Sequence, residues 1–350
     1  MKPKTQIDIK QLVRKNILTM KPYSSARDEF KGEAEVFLDA NENPYNSAFN
    51  RYPDPLQWEV KTKLAKLKGI DPTQIFLGNG SDEAIDVLIR AFCEPNRDAI
   101  LITEPTYGMY AVCADVNAVT IQKVLLTADY DLDLESLFKQ VNDQTKIIFL
   151  CSPNNPTANL LTREKIKTVL AQFNGLVVID EAYIDFTSSE SFAAELSNYE
   201  NLVILQTFSK AWGLAGLRLG MCFASPAIIG ILNKVKYPYN INLATQAHAL
   251  EALKDVQKKD AMVAEITSER DALIEALPSV KMVQKVYPSD ANFILIKVDD
   301  ANGTYQKLTD QKIIVRNRSS VALCLNCLRI TVGTPEENKR LLQALKDLSK

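Results

Sequence analysis

Histidine is what this chain has least of. His248 is the only one in 350 residues, so a Ser-His-Asp triad and a histidine-built metal centre are both excluded, and no metal is expected. An excess of one charge is missing too. Forty-one Lys and Arg against 43 Asp and Glu leave a formal net charge of −2 and a pI near 5.7, which gives no reason to expect nucleic acid as a partner. A balanced total still leaves room for a small basic pocket that takes a phosphate-bearing molecule. No apolar run approaches the roughly 20 residues that span a bilayer; the longest, about 217–232, is broken by Arg218, Ser225 and Pro226. Met1 to Asn16 carries lysines with no apolar stretch behind them, unlike a secretory signal. The cytoplasm is therefore the expected location, with no membrane partner. The six cysteines, Cys93, Cys113, Cys151, Cys222, Cys324 and Cys327, are scattered and expected to stay reduced. Cys324-Leu325-Asn326-Cys327 is a lone CxxC with neither a second pair nor a histidine nearby. It reads as a turn entering a strand, not as a zinc or redox site.

What is present is the composition of an ordinary globular enzyme, 46% hydrophobic and 24% charged. No internal repeat or low-complexity tract appears. From about residue 74 to 224, short apolar runs alternate with amphipathic ones. Strands are expected at Ile75–Leu77, Ala99–Thr103, Ile147–Cys151, Leu176–Asp180, Leu202–Gln206 and Leu219–Ala224, and helices at Ser81–Phe92, Arg163–Gln172 and after Thr106. This α/β alternation predicts a mostly parallel sheet between layers of helices, with functional residues at the carboxyl ends of the strands. Pro226 and residues 236–242 mark a change of organisation. A long helical pattern over Ala244–Leu277 follows, then strands at Phe293–Val298, Ile313–Val315 and Leu328–Val332. A last helix opens with Thr334-Pro335-Glu336-Glu337, a capping box with proline at its first position. We divide the chain into a large domain over 39–224 and a smaller α+β domain over 225–350, joined by the arm 1–38.

Lys210 lies in Thr207-Phe208-Ser209-Lys210-Ala211, eight residues before Arg218 and thirty after Asp180, which ends the apolar run Leu176-Val177-Val178-Ile179. These are parts that can hold pyridoxal phosphate. The lysine amine condenses with its aldehyde, Ser209 and Arg218 hold its phosphate, and Asp180 keeps its ring nitrogen protonated. Taken alone, Asp180 reads equally as a strand-end acid capping the next helix. A buried carboxylate is costly without a partner, however, and a pyridinium supplies one. Gly78-Asn79-Gly80-Ser81-Asp82-Glu83 follows a strand and opens a helix, either as an anion site of free N–H groups or as a plain cap. Asn155, in Ser152-Pro153-Asn154-Asn155-Pro156-Thr157, can donate to the ring oxygen or merely make a turn. Tyr183 suits the same oxygen, and Tyr107 suits the ring face. Together these elements weigh much more than any one of them.

Further segments extend the pattern nearly end to end: Tyr23-Ser24-Ser25-Ala26-Arg27, Asn41-Glu42-Asn43-Pro44-Tyr45, Arg51-Tyr52-Pro53-Asp54-Pro55 and Leu328-Arg329-Ile330-Thr331-Val332-Gly333. With them the chain resembles the fold-type-I pyridoxal-phosphate aminotransferases, and most of all their histidinol-phosphate branch. The resemblance implies transamination of L-histidinol phosphate with 2-oxoglutarate, giving imidazole acetol phosphate and glutamate, in histidine biosynthesis. It implies that Lys210 carries the cofactor and moves a proton between Cα and C4′. Asp180 would pair with the ring nitrogen, Asn155 and Tyr183 would bond the ring oxygen, and Tyr107 would stack. Gly80, Ser81, Asp82, Ser209 and Arg218 would line the phosphate region. Tyr52 would reach that phosphate from the neighbouring subunit, which makes a homodimer the expected active unit. Tyr23, Asn41, Arg316 and Arg329 resemble substrate-side residues. Guanidinium forks pair with either a phosphate or a carboxylate, the two anions one site must accept. Arg316 also reads as a solvated charge beside Arg318. Ala158 stands where the family has glycine and is expected to alter only the turn, because alanine tolerates most conformations except positive φ. Three other readings stay open: an aromatic amino-acid aminotransferase, a lyase resembling threonine-phosphate decarboxylase, and a cofactor-sensing regulator, for which no helix-turn-helix or basic arm is evident.

Overall fold

The computed structural model describes residues 7–23, 32, 35–45 and 48–349. The alternating pattern builds a seven-stranded sheet of β1 (Ile75–Asn79), β2 (Ala99–Glu104), β3 (Thr120–Leu125), β4 (Thr145–Cys151), β5 (Leu176–Asp180), β6 (Leu202–Thr207) and β7 (Leu219–Ala224), in the spatial order β1-β7-β6-β5-β4-β2-β3. From β3 to β6 every pairing is parallel; β7 runs antiparallel between β6 and β1. Successive residues on a strand face opposite ways. Ile148 and Leu150 accordingly join one apolar cluster and Ile147 and Phe149 the other, one on each side of the sheet. The near-continuous apolar runs are what burial on both faces demands. Edge strand β3 was not expected from sequence. Its alternate residues are exposed, so Thr120, Gln122 and Lys123 dilute the apolar signal.

A second sheet is antiparallel, with β8 (Val283–Val286), β9 (Phe293–Val298), β10 (Arg316–Asn317) and β11 (Cys327–Thr331) in the order β10-β11-β9-β8. Helices Val256–Ala276, Ala301–Asp310 and Pro335–Leu348 contribute to its core. The capping box at Thr334 forms with both of its reciprocal bonds. The stretch expected as a strand at Ile313–Val315 only leads into β10, which pairs for two residues. The long helical pattern is two helices, Leu243–Ala252 and Val256–Ala276, and Asp255 caps the second by accepting the Lys258 N–H at 3.0 Å. The CxxC is a turn closed by the Cys327 N–H on Cys324 O at 3.0 Å, with both thiols free and buried.

Packing draws the division of the chain differently from the sequence. Ile9, Val13 and Ile17 of the arm share a cluster with Phe149 and Val178, and so do Ile228, Ile229 and Leu232 of helix Pro226–Val235. Arg14 anchors the arm by donating to Arg90 O at 2.9 Å and pairing with Glu94 at 3.3 Å. These apolar faces cover the large sheet. Residues 9–17 of the arm and the first helix after residue 224 therefore pack against that sheet.

Ala158 corrects another expectation. Its φ is 71°, in the left-handed region alanine avoids, and it is fully buried among Tyr183, Phe186, Ala211, Ala291 and Phe293. Two bonds hold it there, its N–H on Asn154 O and its O accepting from the Asp290 N–H, each 2.7 Å. The conformation costs an alanine about 1–2 kcal/mol, offset by the buried methyl at about 0.8 kcal/mol and by the smaller freedom of an unfolded alanine. Urea denaturation should therefore place Ala158→Gly within about 1 kcal/mol of the wild type. Ala158→Val should lose about 2 kcal/mol or more, because a β-branched side chain at positive φ has neither the conformation nor the space.

Candidate active site

The topology explains why distant motifs converge. β4, β5 and β6 are parallel and in register, with Cys151 opposite Asp180 and Asp180 opposite Leu205. Their carboxyl ends therefore deliver Asn155, Asp180 and Lys210 to one edge. β7 reverses direction, so Arg218 stands at that same edge just before it. β1 reverses again, with Asn79 opposite Leu219, and places Gly80, Ser81 and Asp82 beside Arg218 at the start of helix Gly80–Phe92. Gly80, Ser81, Asp82, Tyr107, Asn155, Asp180, Tyr183, Ser209, Lys210 and Arg218 all line one cavity of about 150 Å³.

Asp180 is 3% exposed and accepts from the Tyr110 hydroxyl at 2.6 Å and the Ala182 N–H at 3.0 Å. Burial pushes its carboxyl above the usual range, against those two hydrogen bonds. Tyr110 is fully buried, stacks on Phe149 at 4.7 Å and meets Tyr107 edge-on at 5.6 Å. The Tyr107 hydroxyl donates to Asp82 at 3.0 Å, and burial followed by Asp82 raises its phenol. Asn155 Nδ2 lies 3.4 Å from the Tyr183 hydroxyl, whose pKa burial also raises. The Lys210 amine sits 5.7 Å over the Tyr183 ring. Burial first and Arg329 second pull its pKa down, with Asp180 opposing.

The phosphate end is shaped by backbone. Gly80 has φ 73°, its N–H bonds Arg218 O at 2.6 Å, and a Cβ there would meet Arg218 Nη2 at 2.7 Å. A Cβ on Gly220 would fall 2.2 Å from both Gly80 C and Ser81 N. The close approach leaves the first N–H groups of the helix and the Arg218 guanidinium around one space, an arrangement that receives an anion. Arg218 itself is left-handed at φ 53° and lies 3.5 Å from Asp82. Arg329, on β11, bonds Asn155 Oδ1 through Nη1 and lies 5.2 Å over the Phe293 ring. Burial lowers its pKa.

Tyr23 and Tyr52 do not line the Lys210 cavity. They border another of about 900 Å³, where Tyr52 stacks on Tyr239 at 4.5 Å. Asn41 and Arg316 are exposed, and Ser24 to Arg27 of the Tyr23 motif lie outside the described residues. Sequence reasoning passed over two residues. Tyr110 holds Asp180, and its signal was its place in the first turn of helix Met109–Val116, three residues after Tyr107. Thr207 accepts the Ser209 N–H at 3.1 Å and donates to Leu219 O at 3.3 Å, bracing the Lys210 turn.

A buried acid, a nearby amine with a lowered pKa, an aromatic face and an N–H cradle beside an arginine together fit pyridoxal phosphate. Without a cationic partner, the raised pKa of Asp180 makes the folded apoprotein bind more protons than the unfolded chain. Its stabilising contribution is therefore full below the unfolded pKa and lost as pH rises through the folded one. Asp180→Asn, which cannot ionise, should make the apoprotein melt above the wild-type apoprotein at alkaline pH. Calorimetry across pH should show the margin closing as pH falls.

The profile of the aminotransferase class I and II family matches residues 28–345. The histidinol-phosphate aminotransferase of Parabacteroides distasonis is 57% identical over 341 residues, covering 97% of this chain and 99% of that one. That of Bacteroides thetaiotaomicron is 56% identical over 339 residues, covering 97% and 98%. The crystal structure of histidinol-phosphate aminotransferase from Clostridium acetobutylicum matches with a TM-score of 0.80 at 26% identity, over 86% of this chain and 91% of that one. The sheet order, the Lys210 cavity and this near-complete coverage agree, and the chain belongs to the class I and II aminotransferases, pyridoxal-phosphate enzymes of fold type I, in their histidinol-phosphate aminotransferase family.

Proposed function

We propose that this enzyme transaminates L-histidinol phosphate with 2-oxoglutarate, releasing imidazole acetol phosphate and glutamate in histidine biosynthesis. The observation that carries the reading is the contact of Arg329 with Asn155, which joins an anion-binding arginine to the wall of the Lys210 cavity. Near-full-length identity to named histidinol-phosphate aminotransferases favours it over the aromatic and lyase readings.

Pyridoxal phosphate, when bound, supplies an electron sink that makes the substrate Cα–H acidic. Lys210 is the base. Burial and Arg329 lower its pKa, which favours the free amine that takes the proton from Cα and returns it at C4′. Asp180 holds a proton on the ring nitrogen, and that positive charge offsets the burial of its carboxylate. Tyr110 and the Ala182 N–H keep the carboxylate oriented. Asn155 and Tyr183 orient the ring oxygen, and Tyr107 covers the ring face. Gly80, Ser81, Asp82, Ser209 and Arg218 surround the phosphate. Arg329, with Arg316, orients the substrate anion.

The active unit we propose is a homodimer in which Tyr52 of each chain reaches the other's phosphate site. Tyr23 and Tyr52, each at least half exposed, border one cavity that a second copy suits. We place the enzyme in the cytoplasm, where six unpaired thiols stay reduced.

With cofactor-loaded enzyme, histidinol phosphate alone should discharge the visible cofactor absorbance and 2-oxoglutarate should restore it. Response to phenylalanine or tyrosine but not to histidinol phosphate would defeat the substrate assignment, and release of carbon dioxide would make the enzyme a lyase. Lys210→Ala should slow the half-reaction by about 10²-fold or more in stopped-flow measurements.

A further inference from the structure

Opposite Arg329 on the short edge strand β10 stands Arg316. The ladder continues with the Arg318 N–H on Cys327 O at 2.9 Å. Arg318 follows β10 directly, and its guanidinium lies within electrostatic reach of both Arg329 and Arg316. Like charges directly across a sheet repel. Among the described residues, none of these three guanidiniums meets a carboxylate. The Nε atoms of Arg318 and Arg329 and the hydroxyl of Ser319 are buried and lack a hydrogen-bond partner. A buried unmet donor is destabilising, and here two sit beside each other on groups that already repel. Burial, then Arg329 and Arg316, draw the Arg318 pKa down to about 10, and the group is in electrostatic reach of Tyr183, a wall of the Lys210 cavity.

We propose that Arg318 is a specificity-determining residue of the substrate-anion subsite, a third guanidinium beside Arg316 and Arg329 that fits the subsite to a phosphate monoester in preference to a carboxylate. The inference rests on the function proposed above. A single guanidinium fork satisfies the one charge and two oxygens of a carboxylate. A phosphate monoester brings close to two charges and three oxygens, each of which accepts more than one hydrogen bond, whereas Arg329 already commits one N–H to Asn155. Arg318 and the Ser319 hydroxyl add donors from the two residues that follow β10.

The test compares kcat/KM for histidinol phosphate and for glutamate in cofactor-loaded wild type, Arg318→Gln and Arg318→Lys. It also measures inhibition by inorganic phosphate, competing with the amine donor. Arg318→Gln should lose at least tenfold more on histidinol phosphate than on glutamate, chiefly in KM, and phosphate should inhibit it at least tenfold more weakly. Arg318→Lys, with the charge but not the fork, should fall between. Equal losses on both substrates, or unchanged phosphate inhibition, would overturn the assignment. A wild type that ignores histidinol phosphate would defeat the proposed function, and phosphate inhibition would still decide the role of Arg318. Should Arg318→Gln fail to fold, phosphate inhibition of Arg318→Lys decides: weakened supports the role, unchanged overturns it.

Discussion

A carboxylate buried at the end of a buried strand is the constraint from which the rest of this structure follows. Asp180 gives up solvation for two hydrogen bonds, from Tyr110 and the Ala182 N–H, and these leave its charge unpaired. Burial raises its pKa and so disfavours the ionised form. Lys210 opposes that shift only in part, and a cation brought against the carboxylate, such as a protonated ring nitrogen, offsets it. The same low dielectric depresses the Lys210 amine and favours its neutral form. One environment thus prepares two groups for opposite tasks, without a histidine between them.

The site depends on two sheets meeting. Helix Val256–Ala276 is tied to the large sheet's edge through Lys259 on Asp185 at 3.3 Å and through Arg270 on the carbonyl of Phe186 at 3.1 Å. Arg270 also donates to Ala291 O at 3.2 Å, just before β9. The strained turn at Ala158 grips the same region by accepting from Asp290. These contacts hold β11 where Arg329 reaches Asn155, so that strand and the lysine turn keep a fixed relation. Glu181, next to Asp180, is buried as well and is met by Ser191, Gln206 and the Phe192 N–H. It steadies the strand end from the side away from the cavity.

Much of this was legible from the chain. β5 and β7 match their expected spans, as do β9 and helix Arg163–Gln172, because uninterrupted apolar runs and clear helical spacing are local signals. Ten residues read as cofactor-binding from motif and resemblance line a single cavity. The misses share a cause. β3 and β8 are edge strands whose polar residues mask their period, and the break at residues 253–255 lies inside a pattern helical on both sides. Tyr110 was passed over because its partner is 70 residues away.

Residue type and spacing determined the α/β architecture and offered the lysine, acid and arginine around which the site is built, and the family resemblance supplied the class of chemistry. Tertiary structure alone decided the rest. It put Ala158 at positive φ, moved the arm onto the large sheet, set Tyr110 against Asp180 and brought Arg316 and Arg318 within electrostatic reach of Arg329. Those outcomes depend on which distant segments exclude water from one another, and nothing in the order of neighbouring residues encodes that.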